Sequence, residues 1–171
     1  MRPSILDPLF RPVSSLKGVG PKIAVMMERV AGPLVRDLVY LAPAGIVDRR
    51  YQPKAIDAEP GRLATLQLKI VGHQPSRSRR QPYRVIAADA TGEVALVFFH
   101  ASKPYLERLL PPGEERLISG MVEHYRGMPQ ITHPDHIVSL EDAADLPLVE
   151  PVYPLTAGLT GKTLRKGIVQ G

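Results

Sequence analysis

The chain has 171 residues, 44% of them hydrophobic and 23% charged, with a net charge of +5 and no cysteine. That length can bury one good core, or a small core plus a helical appendage, and the lack of thiols excludes disulfides and thiolate metal sites and fits a reducing, cytoplasmic compartment. No apolar run reaches the roughly 20 residues of a membrane span and "MRPSILDPLFRP" lacks signal-peptide character, so a soluble protein is expected.

Eighteen prolines and fourteen glycines point to many short elements joined by turns. The charge is uneven. Residues 1–56 hold nine basic against four acidic side chains, residues 57–140 ten against nine, and residues 141–171 three against four. The amino-terminal excess, with a second basic knot at Arg77, Arg79, Arg80 and Arg84, fits either a polyanion partner or a solvated basic face.

Residues 1–56 read as a helical segment. "PKIAVMMERV" places Ile23, Met26, Met27 and Val30 at helical spacing, and "LVRDLVYLAP" repeats the pattern with Leu34, Leu38 and Leu41. Gly32-Pro33 separates the two helices and Pro43 ends the second. Ahead of them, "LKGVGPKIA" is a Gly-x-Gly turn feeding a helix. Gly18 and Gly20 allow a tight backbone whose N–H groups can face a phosphate, with Lys17 and Lys22 adding charge. This is the hairpin signature of helix-hairpin-helix modules, which grip DNA backbones without reading sequence. A plain helix-initiating turn packed within the domain is the other reading, and Pro8 and Pro12 interrupt the helix that should precede the hairpin.

From residue 57 to 140 the period changes. "LATLQLKIVG" alternates, with Leu66, Leu68 and Ile70 on one face and Thr65, Gln67 and Lys69 on the other. An Arg-rich loop follows, then the strands "YRVIAAD" and "EVALVFFH", a short helix in "PYLERLL", and the strands "ERLISGMVEHY" and "PQITHP", with a further apolar run, "HIVSL". Five short strands with a helix between the third and fourth is the order of an OB-fold barrel, which commonly binds oligonucleotides or oligosaccharides. The predicted class is therefore α+β, a helical segment followed by a five-stranded OB-fold barrel. Another small β-barrel, or a structural use of this one, would share the order.

Residues 141–171 begin acidic, turn Pro-rich and end in "KTLRKGIVQG", which reads as the first turns of a helix. They are expected to be a linker. Gly161-Lys162-Thr163 imitates the end of a phosphate-binding loop, but the pattern wants glycine where Thr156 stands, on a loop after a buried strand. No ATP site is assigned here. "HPDH", with His133, Asp135 and His136, could begin a zinc site, but a turn with solvated histidines is the preferred reading, so no metal is expected. No nucleophile, base and orienter come together, so no catalytic residue is assigned.

The aromatic residues remain. Adjacent residues of a strand point to opposite faces, and Val94, Leu96 and Phe98 make a bulkier set than Ala95, Val97 and Phe99. Phe98 is therefore predicted in the core and Phe99 outside it, with Lys103 and Tyr105 following. Exposed rings beside cationic side chains are stacking platforms for unpaired bases. Alternatively Phe99 packs under the following helix and Tyr105 covers it.

The segments "SSLKGVGPKIA", "VRDLVYLAPAGIVDRRY", "VFFHASKPYL", "QITHPDH" and "PVYPLTAGLTGKTLRK", in this order, resemble the amino-terminal part of RecG, the bacterial ATP-dependent helicase of branched DNA. The resemblance implies an OB wedge that splits strands at stalled replication forks and at three- and four-way (Holliday) junctions, during branch migration and fork regression in DNA repair and recombination. It implies base stacking by Phe99 and Tyr105, and the basic residues and the Gly-x-Gly turn add expected phosphate contacts from Arg77, Arg79, Arg80, Arg84, Lys103, Lys17, Lys22, Gly18 and Gly20. ATP and magnesium would be bound by downstream helicase domains of the same chain and no cofactor by this part, which would not unwind DNA alone. A monomer in the bacterial cytoplasm, associated with the nucleoid and not with a membrane, is expected. His100 stands where family members often carry Asn, and the stretch to Tyr105 is longer than is common. "APAGIVDRRY" also departs from the family pattern, so no DNA role is assigned to Arg49 or Arg50. The alternative from another class is a protein-interaction module whose barrel holds a peptide.

Overall fold

The structure, a computed structural model, describes residues 3–76, 78 and 81–170. In chain order the principal elements are α1 (Pro21–Val30), α2 (Val35–Val39), β1 (Gly45–Asp48), β2 (Leu63–Gln74), β3 (Tyr83–Ala88), β4 (Glu93–Phe98), α3 (Lys103–Leu109), β5 (Glu115–Tyr125), β6 (Met128–Thr132), β7 (His136–Ser139), β8 (Val149–Val152) and α4 (Gly161–Gln170). They form two compact units. One joins the chain up to Val47 to the chain from Glu150 onward, and the other is Asp48–Val149.

In the first unit, Pro8 and Pro12 keep the leading segment out of an α-helix. It forms 3-10 turns at Ser4–Phe10 and Val13–Ser15 instead, because proline lacks the N–H that an α-helical interior needs. Helix α1 opens with Pro21 at its first position, where a missing N–H costs nothing. It buries Ala24 and Met27 against Val13, Leu38, Leu159 and Leu164, with Ile23, Met26 and Val30 packed at the margin. Helix α2 is short, and the Asp37 carboxylate accepts a hydrogen bond from the Leu34 N–H at its start, at 3.0 Å. Strands β1 and β8 pair as a two-stranded sheet. Helix α4 starts on Thr160, whose hydroxyl accepts from the Thr163 N–H at 3.2 Å, and it is clipped to β8 by an Arg165–Glu150 ion pair. Lys162 and Thr163 thus serve the first turn of a packed helix.

The second unit is a closed five-stranded OB-like barrel. Its strands run β2-β3-β4-β6-β5 and return to β2, with β7 added on the edge of β5. All pairings are antiparallel except β4 with β6. The alternation expected for β2 holds: Leu66, Leu68 and Ile70 are buried, and Gln67 and Lys69 are exposed. Thr65 departs from it. It is buried, because the chain at Arg49–Tyr51 covers it, and its hydroxyl bonds the Arg49 carbonyl at 3.0 Å and Ser119 Oγ at 3.1 Å. Helix α3 plugs the core with Leu106 and Leu110. Its last carbonyls find side-chain partners: His73 Nε2 lies 2.8 Å from the Leu110 oxygen, and Arg116 Nε donates to the Leu109 oxygen at 3.2 Å. Between β5 and β6 the packing is tight enough to need glycine. A Cβ at Gly120 would lie 2.4 Å from Ile131 Cγ2. Each Leu- or Ile-sized side chain that joins this core is worth about 1.5–3 kcal/mol.

Candidate nucleic-acid interface

Strand β4 ends with Phe98, which is 7% exposed, and the chain continues into Phe99, which is 45% exposed. The alternation of a strand places the first ring in the barrel core and the second outside it. The outer face of β4 is drier than alternation alone predicts, since Ala95 and Val97 are also buried. These small side chains sit between larger neighbours on the same face, Ile86 and Arg84 of β3 on one side and Gln130 and Thr132 of β6 on the other. Phe99 stands beyond the last of these pairings, and this leaves it uncovered.

His133 braces the exposed ring. Its backbone N–H donates to the Val97 carbonyl at 2.9 Å, and its Nε2 accepts from the Phe99 N–H at 3.2 Å. The imidazole lies 5.7 Å from the Phe99 ring and meets Phe98 edge-on at 6.2 Å. The residue after Phe99, His100, has φ 60° and His133 has φ 48°. The chain therefore leaves β4 and β6 through left-handed steps that few non-glycine residues adopt. Of the "HPDH" histidines, His133 lies in the bend between β6 and β7 and is tied to β4, while His136 begins β7 and pairs with Ser119 of β5, so they are not a simple solvated turn. Among the described residues no group of acidic and histidine side chains is arranged to hold a metal.

Tyr105 lies in the first turn of α3 and is 53% exposed. Leu106 and Leu110 commit one flank of this helix to the core, so Lys103, Tyr105, Glu107 and Arg108 face water. Neither Phe99 nor Tyr105 belongs to a buried cluster, and the reading in which they form a second small core is not supported. Lys103 Nζ lies 3.7 Å from Glu107 Oε1, with both side chains exposed. Such a pair is worth little and leaves the ammonium free to turn to a phosphate.

Arg84 lies on the outside of β3 with its guanidinium 5.4 Å from the centre of the Tyr125 ring. Arg77, Arg79 and Arg80 lie outside the described residues. Lys17, Gly18, Gly20 and Lys22 belong to the other unit. Gly18 has φ 82°, a left-handed turn that glycine adopts freely, and Gly20 leads directly into α1. A Cβ at either glycine would meet nothing within 4 Å, and both lysines are exposed, so this backbone faces open space. Two residues escaped the sequence reading, His133 and Tyr125. His133 acts through partners 34 and more residues away. Tyr125 is signalled only by the juxtaposed "YRG", which marks a ring beside a cation on a tight turn.

Residues 12–171 match the RecG wedge domain. The chain belongs to the RecG wedge domain family. Relatives named as the ATP-dependent DNA helicase RecG include that of Pasteurella multocida, 28% identical over 158 residues, which cover 91% of this chain and 22% of the relative. The Escherichia coli K12 protein is 28% identical over 169 residues, 97% of this chain and 24% of its own length. The chain thus spans about a quarter or less of the curated relatives it matches. A solved structure of RecG bound to a three-way DNA junction superposes with a TM-score of 0.76 at 26% identity, over 95% of this chain and 22% of that one. The RecG likeness thus covers both units, the OB-like barrel and the helical unit beside it in sequence.

Proposed function

We infer that this chain is the junction-splitting wedge of a RecG-type helicase. It holds DNA where a duplex parts into separate strands, at stalled forks and at three- and four-way junctions, during branch migration and fork regression in repair and recombination. Phe99 stacks on a base freed at the split, and Tyr105 on α3 supports the same strand. Phosphates are held by Arg84 and Lys103, by Arg77, Arg79 and Arg80 of the loop between β2 and β3, and in the helical unit by Lys17, Lys22 and the backbone at Gly18 and Gly20. ATP and magnesium belong to motor domains that continue such a chain, and the wedge acts on DNA in the bacterial cytoplasm as a part of that machine. No helix among the described residues is long and apolar enough to cross a membrane.

The observation that carries this reading is the Phe98–Phe99 pair. One ring is locked in the barrel and the other stands half exposed and braced by His133, in a chain similar to a RecG bound to a three-way junction. Base stacking on such a ring is worth about 1–3 kcal/mol. Phe99→Ala is therefore expected to weaken binding to a three-way fork by roughly five- to a hundredfold while leaving linear duplex binding nearly unchanged. Equal losses on fork and duplex in a titration would sink the wedge role. Failure of both to bind at low salt would favour a protein partner.

A further inference from the structure

The β5–β6 hairpin carries an exposed ring and an arginine, Tyr125 and Arg126, that the reading above leaves unused, and they cluster with Arg84. Tyr125 ends β5, pairs with Met128 at the start of β6, and is 46% exposed. Arg84 lies 5.4 Å from the ring centre, and Arg126 lies 5.3 Å from it. Arg84 is on β3 opposite Val97 of β4, which in turn pairs with Thr132 of β6. Strand β3 does not pair with β5, so this contact joins residues of two strands that are not neighbours in the barrel.

Three features set this cluster apart from an ordinary surface contact. Neither guanidinium has a carboxylate partner among the described residues. Glu123, the acid closest in sequence to Arg126, is occupied by Gln130 Nε2 and Thr132 Oγ1, each at 3.0 Å. Next, Arg126 has φ 54° and Gly127 φ 81°, the tight hairpin turn in which Asn or Gly is the usual first residue. Arginine is strained there, and such strain persists where the side chain is put to use. Finally, Arg84 and Tyr125 of the cluster wall a cleft of about 610 Å³ with Gln74, Ser76 and Gln81. A second cleft of about 480 Å³ shares Ser76 and Gln81 and reaches Phe98 and His100, the residues that bracket Phe99. Two clefts thus adjoin the connection between β2 and β3, one walled by the exposed Tyr125 and the other ending at Phe98 and His100, on either side of Phe99 in the chain.

An exposed ring beside two uncompensated guanidiniums suits an unpaired nucleotide: the ring or a guanidinium plane stacks on the base, and the cations neutralise its phosphates. An acidic peptide would use the cations and leave the ring idle. We propose that Tyr125, with Arg84 and Arg126, is a second base-stacking platform, which takes an unpaired base of one parted strand while Phe99 takes a base of the other. The proposal rests on the chain's being a junction wedge. It assigns the two strands to separate exposed rings of the barrel.

The test uses the whole chain and labelled forks that carry both unpaired arms, or only one arm of either polarity. Tyr125→Ala is paired with Arg126→Gly, which relieves the turn and should fold at least as well, and thermal melts confirm folding. Both variants should bind the two-armed fork roughly five- to a hundredfold more weakly. On one-armed forks, Tyr125→Ala should lose affinity for one polarity and Phe99→Ala for the other. If Tyr125→Ala and Arg126→Gly bind every fork as the parent does while Phe99→Ala does not, the second platform is overturned and the wedge role stands. Losses confined to the same arm as Phe99→Ala overturn the two-strand assignment. A parent chain with no preference for forks removes the wedge role, and the proposal with it.

Discussion

Two neighbouring phenylalanines divide stability from function. Phe98 belongs to the barrel core beside Leu96, Tyr83 and Leu106, whereas Phe99 lies outside it, half exposed, with its ring 5.7 Å from the His133 imidazole. Removing a buried phenyl ring leaves a cavity and costs about 3–5 kcal/mol, while an exposed one changes stability by roughly 0.5 kcal/mol or less. Urea unfolding should therefore rank Phe98→Ala as severely destabilised and Phe99→Ala as close to the parent. The reverse order would mean that the exposed ring packs where the barrel needs it. This division was legible in the sequence, because strand alternation and side-chain bulk together choose which ring goes inward. His133 was not legible, since a histidine in a turn shows its partner only when β6 is laid parallel to β4. Tyr125 was hidden for a similar reason. Its cation comes from β3, a strand that does not pair with β5.

At the scale of elements, the turn between β3 and β4 shows how a loop is pinned. The Asp89 carboxylate accepts hydrogen bonds from the backbone N–H groups of Ala55 at 2.9 Å, Thr91 at 2.7 Å and Gly92 at 3.1 Å, and from the Thr91 hydroxyl. Burial pushes this carboxyl up, but the Thr91 hydroxyl and the three N–H donors more than offset it, and its pKa falls from 3.8 to about 2. A carboxylate whose pKa is depressed by folding contributes stability above its unfolded pKa, and that stability is lost as pH falls through the folded value. The window here is therefore between about pH 4 and pH 2. With solvent screening, the contribution is about 1 kcal/mol. Chemical unfolding followed from pH 6 to pH 2.5 should show a shallower acid loss for Asp89→Asn than for the parent. Superimposable pH profiles would assign the clip no role. Asp48, lowered to about 2 by its hydrogen bonds to Arg50, remains in both proteins and keeps part of the slope. Strand order and the place of α3 were legible from alternation and turn residues. The burial of Thr65 was not, because the segment that covers it comes from before the barrel and its hydroxyl partners, Arg49 and Ser119, lie 16 and 54 residues away.

Across the whole molecule, the net positive charge lies wholly on the unit of residues 1–47 and 150–171, which carries the Lys17–Lys22 turn. Residues 48–149 balance thirteen basic against thirteen acidic side chains and concentrate their cations in the Arg-rich β2–β3 connection. Composition made a polyanion partner plausible without saying which cations meet it, since a phosphate contact depends on where the backbone of the nucleic acid runs. Thermodynamics can assign them. Each duplex phosphate neutralised adds about −0.9 to the slope of log affinity against log salt, and a stacking contact adds nothing. Lys17→Gln with Lys22→Gln should therefore flatten the slope of fork binding by about 1.8, and replacing Arg77, Arg79 and Arg80 together should flatten it by about 2.7, if every one meets a duplex phosphate. Both sets should weaken fork and linear duplex alike. Phe99→Ala should do the opposite, leaving the salt slope intact while removing the preference for the fork. Fluorescence anisotropy titrations at four or more salt concentrations separate these outcomes. An unchanged slope for either cation set would strike that set from the interface, and a slope altered by Phe99→Ala would show that the ring orders charged contacts instead of stacking on a base.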